Sequence, residues 1–108
     1  MREIKFRGRE KDGTWHFGNL KLREDMPNWA TVAAWIVDRE TVGEFTGFKD
    51  IDDKEIFEGD ILEYPGKLKA CVVVTDIREF TYRGIAYQFK VIGNVHDNPE
   101  LLEADEND

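Results

Sequence analysis

A chain of 108 residues, 41% hydrophobic and 12% aromatic, can bury one compact core but not two, and disorder throughout is excluded. No apolar run approaches the roughly 18 residues that cross a bilayer as a helix, so no membrane partner is expected. The net charge of −8 argues against direct nucleic-acid binding, since no basic block is present to displace counterions from a phosphate backbone.

The charge is segregated along the chain. Residues 1–23 hold seven basic and three acidic side chains, residues 38–63 three basic and ten acidic, and residues 98–108 five acidic and none basic. This describes a soluble acidic surface with a basic first strand. A sharper reading pairs that strand with an acidic edge, in the same chain or a neighbour. The basic N-terminus lacks the apolar segment of a signal peptide, and the lone Cys71 alternates with valines as a buried free thiol would. Both features point to a cytoplasmic protein.

In chain order, residues 3–8 alternate, with Ile4 and Phe6 on one side and Lys5 and Arg7 on the other, the period of a half-buried strand. Lys11-Asp12-Gly13 supplies a turn, and a second strand starts at Thr14. Trp15 and Phe17 share one parity, while Leu20 and Leu22 share the other. One extra residue at Gly18 would restore a single apolar face, so a β-bulge is expected there, with His16 on the polar side. Residues 24–28 form a loop. Residues 29–37, WATVAAWIV, are apolar on both parities; Trp29, Val32, Ala33 and Ile36 also fit a helical face, but the β-branched and aromatic content favours a strand. Asp38 then opens a turn.

Phe45 to Phe48 reads as a short strand interrupted by Gly47, Lys49 to Lys54 as a polar turn, and Ile56-Phe57 as the return. Gly59 permits a sharp corner into Ile61 and Leu62, and Pro65-Gly66 is a turn signal. Residues 68–75 read as a central strand covered on both faces, and Phe80 with Tyr82 as a short one. Ile85, Tyr87, Phe89 and Val91 read as a long one. Asn98-Pro99-Glu100 then carries a capping residue, a proline at the first helical position and an acidic first turn, which start a short helix. The expected domain is 1–104, with 105–108 a frayed acidic tail.

The chain offers little chemistry. It contains no serine, which removes serine nucleophiles. Neither His16 nor His96 has a Cys or a second His at zinc-ligand spacing. The acidic loop from Asp50 fails as a calcium loop, because Lys54, Glu55 and Ile61 fall where a ligand, a glycine and a bidentate glutamate are needed. No metal and no cofactor are expected. Glu58 and Asp60 flank Gly59 and form one candidate acid–base pair; the plainer reading makes Asp60 an acceptor for backbone N–H groups in the turn. Trp15, Phe17, Tyr82 and Tyr87 could stack bases, but core packing is the stronger expectation.

Taken in order, MREIKFRG, the Trp15-to-Leu20 hairpin, VDRETVGEFTGFKD, KEIFEGDIL and VIGNVHDNPELL resemble the YopX family of small proteins encoded by phages and prophages. The signature positions are Phe45, Thr46 and Gly47, then Glu58, Gly59 and Asp60, then Gly93, Asn94, Asn98 and Pro99, all with structural roles expected. The chain departs from the family pattern at three places. Arg39 stands where proline is common, and His96 where an aromatic is common. The turn after Phe45-Thr46-Gly47 reads Asp50-Ile51-Asp52-Asp53-Lys54, where the family has Asp-Lys-Asn-Gly-Lys; the glycine on which the usual two-residue hairpin turn depends is missing. The resemblance implies a mostly β protein in the cytoplasm of a bacterial host, without an assigned activity.

The expected fold is all-β, a small and strongly bent barrel-like antiparallel sheet with a short C-terminal helical turn. The expected role is a non-catalytic accessory protein acting through a protein partner or self-association as a homo-oligomer. The alternatives are an acidic inhibitor that imitates DNA, and a small hydrolase using Glu58 and Asp60.

Overall fold

A computed structural model describes residues 3–64, 71–75 and 83–102, without the side chains of residues 71, 72 and 83–85. Its strands are β1 (Phe6–Arg9), β2 (Trp15–Gly18), β3 (Leu20–Leu22), β4 (Trp29–Val32), β5 (Trp35–Lys49), β6 (Glu55–Phe57), β7 (Asp60–Glu63), β8 (Cys71–Val73) and β9 (Lys90–Asn94), with a 3-10 helix at Arg83–Gln88. Every strand pair with a described register is antiparallel. The fold is mostly β, as the alternation and turn spacing predict. The chain divides into two compact units, Met1–Phe45 and Thr46–Asp108, each with an apolar cluster of its own, which corrects the single core expected from the length.

In the first unit the strand order is β2-β1-β5-β4-β3. The strands at the two ends of this order, β2 and β3, are separated in sequence by Asn19 alone. The sheet therefore bends round its own core of Ala30, Val32 and Val37, against which Leu20 and Val42 pack. Gly8 lets the β1 backbone approach this core closely. A Cβ there would stand 2.6 Å from Cγ2 of Val37 and 3.1 Å from Cγ2 of Val32, a distance no real side chain tolerates without movement.

Three expectations for this unit are corrected. Gly18, at φ +151°, marks a break rather than a bulge: β2 ends there, the pairing partner changes from β1 to β4, and no single apolar face results. Trp15 and Phe17 lie opposite Arg9 and Arg7, and Phe17 is exposed. His16 takes the inner side instead, opposite Gly8, its ring stacked on Trp35 at 4.6 Å and 9°. Residues 29–37 do form extended chain, but as a hairpin rather than one strand. Ala33 and Ala34 take φ of 52° and 71° between the paired residues Val32 and Trp35, a two-residue turn of the primed kind. Finally, Asp38 opens no turn. It lies within β5, although its carboxylate does accept a local N–H as an aspartate opening a turn would, that of Glu40 at 3.2 Å, and its carbonyl accepts the Thr41 hydroxyl at 2.6 Å. Thr41 Oγ1 in turn accepts the Arg9 N–H at 2.8 Å, across the place where the β1–β5 register shifts.

In the second unit β6 pairs with β5, which runs unbroken through Gly47, and β7 lies between β8 and β9. Ile56, Leu62, Val74, Ala86, Phe89 and Val91 form the core, with Phe48 and Tyr64 against them. Of the expected central strand at 68–75, the described part is β8, which pairs with β7. Residues 65–70 and 76–82, with the expected Pro65-Gly66 turn and the Phe80–Tyr82 strand, lie outside the described residues, as does the side chain of Cys71.

The long strand expected from Ile85 to Val91 is also corrected. The 3-10 helix occupies Arg83–Gln88, and β9 starts only at Lys90. A repeat of three residues puts Ala86 and Phe89 into the core and leaves Tyr87 62% exposed, with the Phe89 N–H donating to the Ala86 carbonyl at 3.0 Å. The expected C-terminal helix begins at Glu100, and its described part runs to Leu102.

Candidate functional site

The signature residues sit in three local structures, each built round a polar side chain that serves the main chain. Phe45 is buried, with the Lys5 ammonium 5.2 Å from its ring centre. Thr46 is buried as well; its hydroxyl donates to the Ile56 carbonyl at 2.8 Å and accepts the Phe48 N–H at 3.2 Å, tying β5 to β6. Gly47, at φ +89°, is exposed.

Glu58-Gly59-Asp60 forms the corner between β6 and β7. Asp60 is 2% exposed, and its Oδ2 accepts the Phe57 N–H at 2.7 Å, closing a turn over Gly59, which needs glycine for its φ of +94°. The main chain of the corner is held from both sides: the Gly59 N–H donates to Val74, the Val74 N–H to Asp60, and the Val95 N–H to Gly59. Glu58 is half-buried beside it. With Asp60 buried and committed to the backbone, the acid–base pairing of Glu58 and Asp60 is dropped.

Gly93, Asn94, Asn98 and Pro99 form an interlocked bend. Asn94 Oδ1 accepts the N–H groups of His96 and Asp97, both at 2.9 Å, and Asn98 Oδ1 accepts the Asn94 N–H at 3.1 Å. The Asn98 side chain therefore bonds backward to Asn94. A Cβ at residue 93 would lie 2.5 Å from its Oδ1, which is why glycine precedes Asn94.

Sequence reasoning missed Asp50, which it treated only as a possible calcium ligand. Asp50 is 4% exposed; its Oδ1 accepts the N–H groups of Asp52 and Lys54 at 2.9 and 2.8 Å, and its Oδ2 that of Val91 at 2.9 Å. One carboxylate thus shapes the turn and fastens it to β9, 41 residues away. The signal was present as an aspartate heading a turn, but the distant partner was invisible. The absent glycine is replaced by Asp53, which adopts φ +66° itself. Among the described residues, no group of three His, Cys, Asp or Glu side chains comes together as a metal site would require.

The first unit carries an open cleft of about 490 Å³, lined by Pro27, Asn28, Trp29, Asp38, Arg39 and Glu40. It also holds an aromatic–cation stack, with the Arg7 and Arg9 guanidinium carbons 4.7 and 5.9 Å from the Trp15 ring centre. The YopX protein family, compared as a sequence model, matches residues 3–103.

The chain belongs to the YopX family.

The match covers both compact units and all ten signature positions. Family membership comes with no assigned biochemical function. No curated protein matches the chain. Among the described residues, no helix is long and apolar enough to cross a membrane.

Proposed function

We propose that this YopX-family protein acts by binding, as a non-catalytic accessory of phage or prophage in the bacterial cytoplasm, through a protein partner or a second copy of itself. The carrying observation is the contrast between its buried acids and its surface. Asp50 and Asp60 are committed to main-chain N–H groups, whereas Phe17, Leu22, Trp35, Ile36, Ile51 and Tyr87 are each at least half exposed. These side chains are apolar area that a partner's surface, or a second copy's, would remove from water on binding.

The alternative, an acidic inhibitor imitating DNA, needs rows of outward carboxylates. Of the ten acids in residues 38–63, Asp50 and Asp60 face inward and are unavailable to it.

Light scattering coupled to size exclusion, over a concentration series at low and high salt, tests self-association. A mass that rises with concentration and falls with salt supports it, and a salt-insensitive monomer removes it. Hydrolytic turnover on ester, phosphate or glycoside substrates that is lost in Glu58→Gln would overturn the non-catalytic reading.

A further inference from the structure

We propose that the cleft between residues 27–29, which lead into β4, and residues 38–40 of β5 receives an arginine side chain from a protein partner. This deepens the binding function proposed above and rests on it. The residues lining the cleft include an aromatic, Trp29, paired across the strands with Asp38, and a second acid, Glu40. Glu40 is exposed, and among the described residues its carboxylate has no ion pair or hydrogen bond. Asp38 uses one oxygen for the Glu40 N–H, and its other oxygen has no hydrogen bond or ion pair among the described residues.

The one cation among the lining residues, Arg39, makes no ion pair with either acid among the described residues and leaves the lining with a net charge of −1. Arg39 Nη1 donates to the Pro27 carbonyl at 3.3 Å, and its own N–H donates to the Asn28 carbonyl, so it is fastened to the wall. Elsewhere in the same unit aromatic rings do take cations: Trp15 is covered by two guanidinium groups and Phe45 by the Lys5 ammonium, while no cation among the described residues lies over Trp29.

An aromatic face beside free carboxylates suits a cation, and arginine suits it better than lysine. The planar guanidinium stacks flat on indole and can fork onto a carboxylate, whereas an ammonium is a compact, strongly hydrated point charge. The net charge of −8 draws a basic segment toward the chain but does not choose between the two cations. That choice falls to Trp29 and Glu40.

The test uses the full chain with a short acetylated peptide of alternating arginine and glycine, its lysine twin of equal charge, and calorimetric titration at physiological salt. The arginine peptide is expected to bind several-fold tighter than the twin. Trp29→Leu and Glu40→Gln should each weaken it by about threefold to tenfold. Trp29→Phe, which keeps a ring, should retain most of the affinity. The double variant Asp52→Asn/Asp53→Asn, which removes two exposed charges outside the cleft, should change it by less than about twofold. Circular dichroism confirms that each variant is folded. Absent binding, equal binding of the two peptides, or equal losses in the cleft and control variants would each overturn the assignment. If self-association persists undiminished in Glu40→Gln while the arginine peptide fails to bind, the cleft falls and the binding function stands.

Discussion

Replacing one Asp50 oxygen by an amide nitrogen sets a donor against a donor. The carboxylate accepts two N–H groups on one oxygen and a third on the other, and an asparagine can satisfy only one side. Asp50→Asn should therefore destabilise the chain by about 2–4 kcal/mol, since it strands buried N–H groups that were bonded to a charge. Asp52→Asn, exposed in the same turn, should stay within about 0.5 kcal/mol. Urea titration of both variants checks this, and an Asp50→Asn chain as stable as its neighbour's variant would show that the turn holds without that carboxylate. Asp12 is the surface counterpart. The Thr14 N–H, and after it the Thr14 hydroxyl, hold its carboxyl below the ordinary aspartate value. A depressed folded value contributes stability that is complete above the unfolded value and is lost as pH falls through the folded one. The loss is thus confined to strongly acid solution, and Asp12→Asn should lack it while behaving like the parent in its slope elsewhere. A carbon-detected titration with its midpoint at or above that of aspartate in an unfolded peptide would remove the Thr14 contribution.

At the scale of elements, the β4–β5 hairpin shows what pattern reading could and could not reach. WATVAAWIV has the composition of extended chain, and it is extended, but nothing in it announces a turn, because alanine is a poor choice for two successive residues at positive φ. Tertiary pairing, Val32 with Trp35 on one side and Ala30 with Leu22 on the other, imposes the turn that local preference does not supply. The Glu58-Gly59-Asp60 corner was legible for the opposite reason: its glycine, its aspartate and their spacing all ask for the same turn. The segment 83–88 misled because Ile85, Tyr87, Phe89 and Val91 alternate, although the core accepts Ala86 and Phe89. At His16 the parity was readable but its direction was not, since a polar ring stacked on Trp35 fills the inner side. The strained alanine turn is accordingly improvable. Ala34 is exposed, so Ala34→Gly relieves its φ of 71° without opening a cavity, and should raise stability by about 1 kcal/mol in thermal or urea unfolding. A loss of stability on that change would mean that the turn is not strained as its backbone angles indicate.

For the whole molecule, the two compact units differ in what they bury. The first unit closes over Ala30, Val32 and Val37 and leaves Phe17, Leu22, Trp35 and Ile36 at least half exposed. The second packs a cluster of six buried apolar residues among those described, two of them from the 3-10 helix and the residue after it, buries Phe57 and Ile61 besides, and adds the edge-to-face pair of Tyr64 and Phe89 at 5.3 Å. Its main chain is further tied by the Asp50, Asp60 and Asn98 side chains. Local opening free energies follow such differences in buried contact, so the units should not share one protection level. Native-state hydrogen exchange in mild denaturant should find the amides of β3 and β4 opening more cheaply than those of β7 and β9. The gap should exceed about 1.5 kcal/mol, the worth of one buried aliphatic side chain. Equal protection in both units at every denaturant concentration would mean that they open only together, and that the smaller apolar cluster of the first is no measure of its stability. If the gap appears, the unit with more of the exposed large apolar side chains among the described residues is also the one that opens first, which is where a partner would most change the protection pattern.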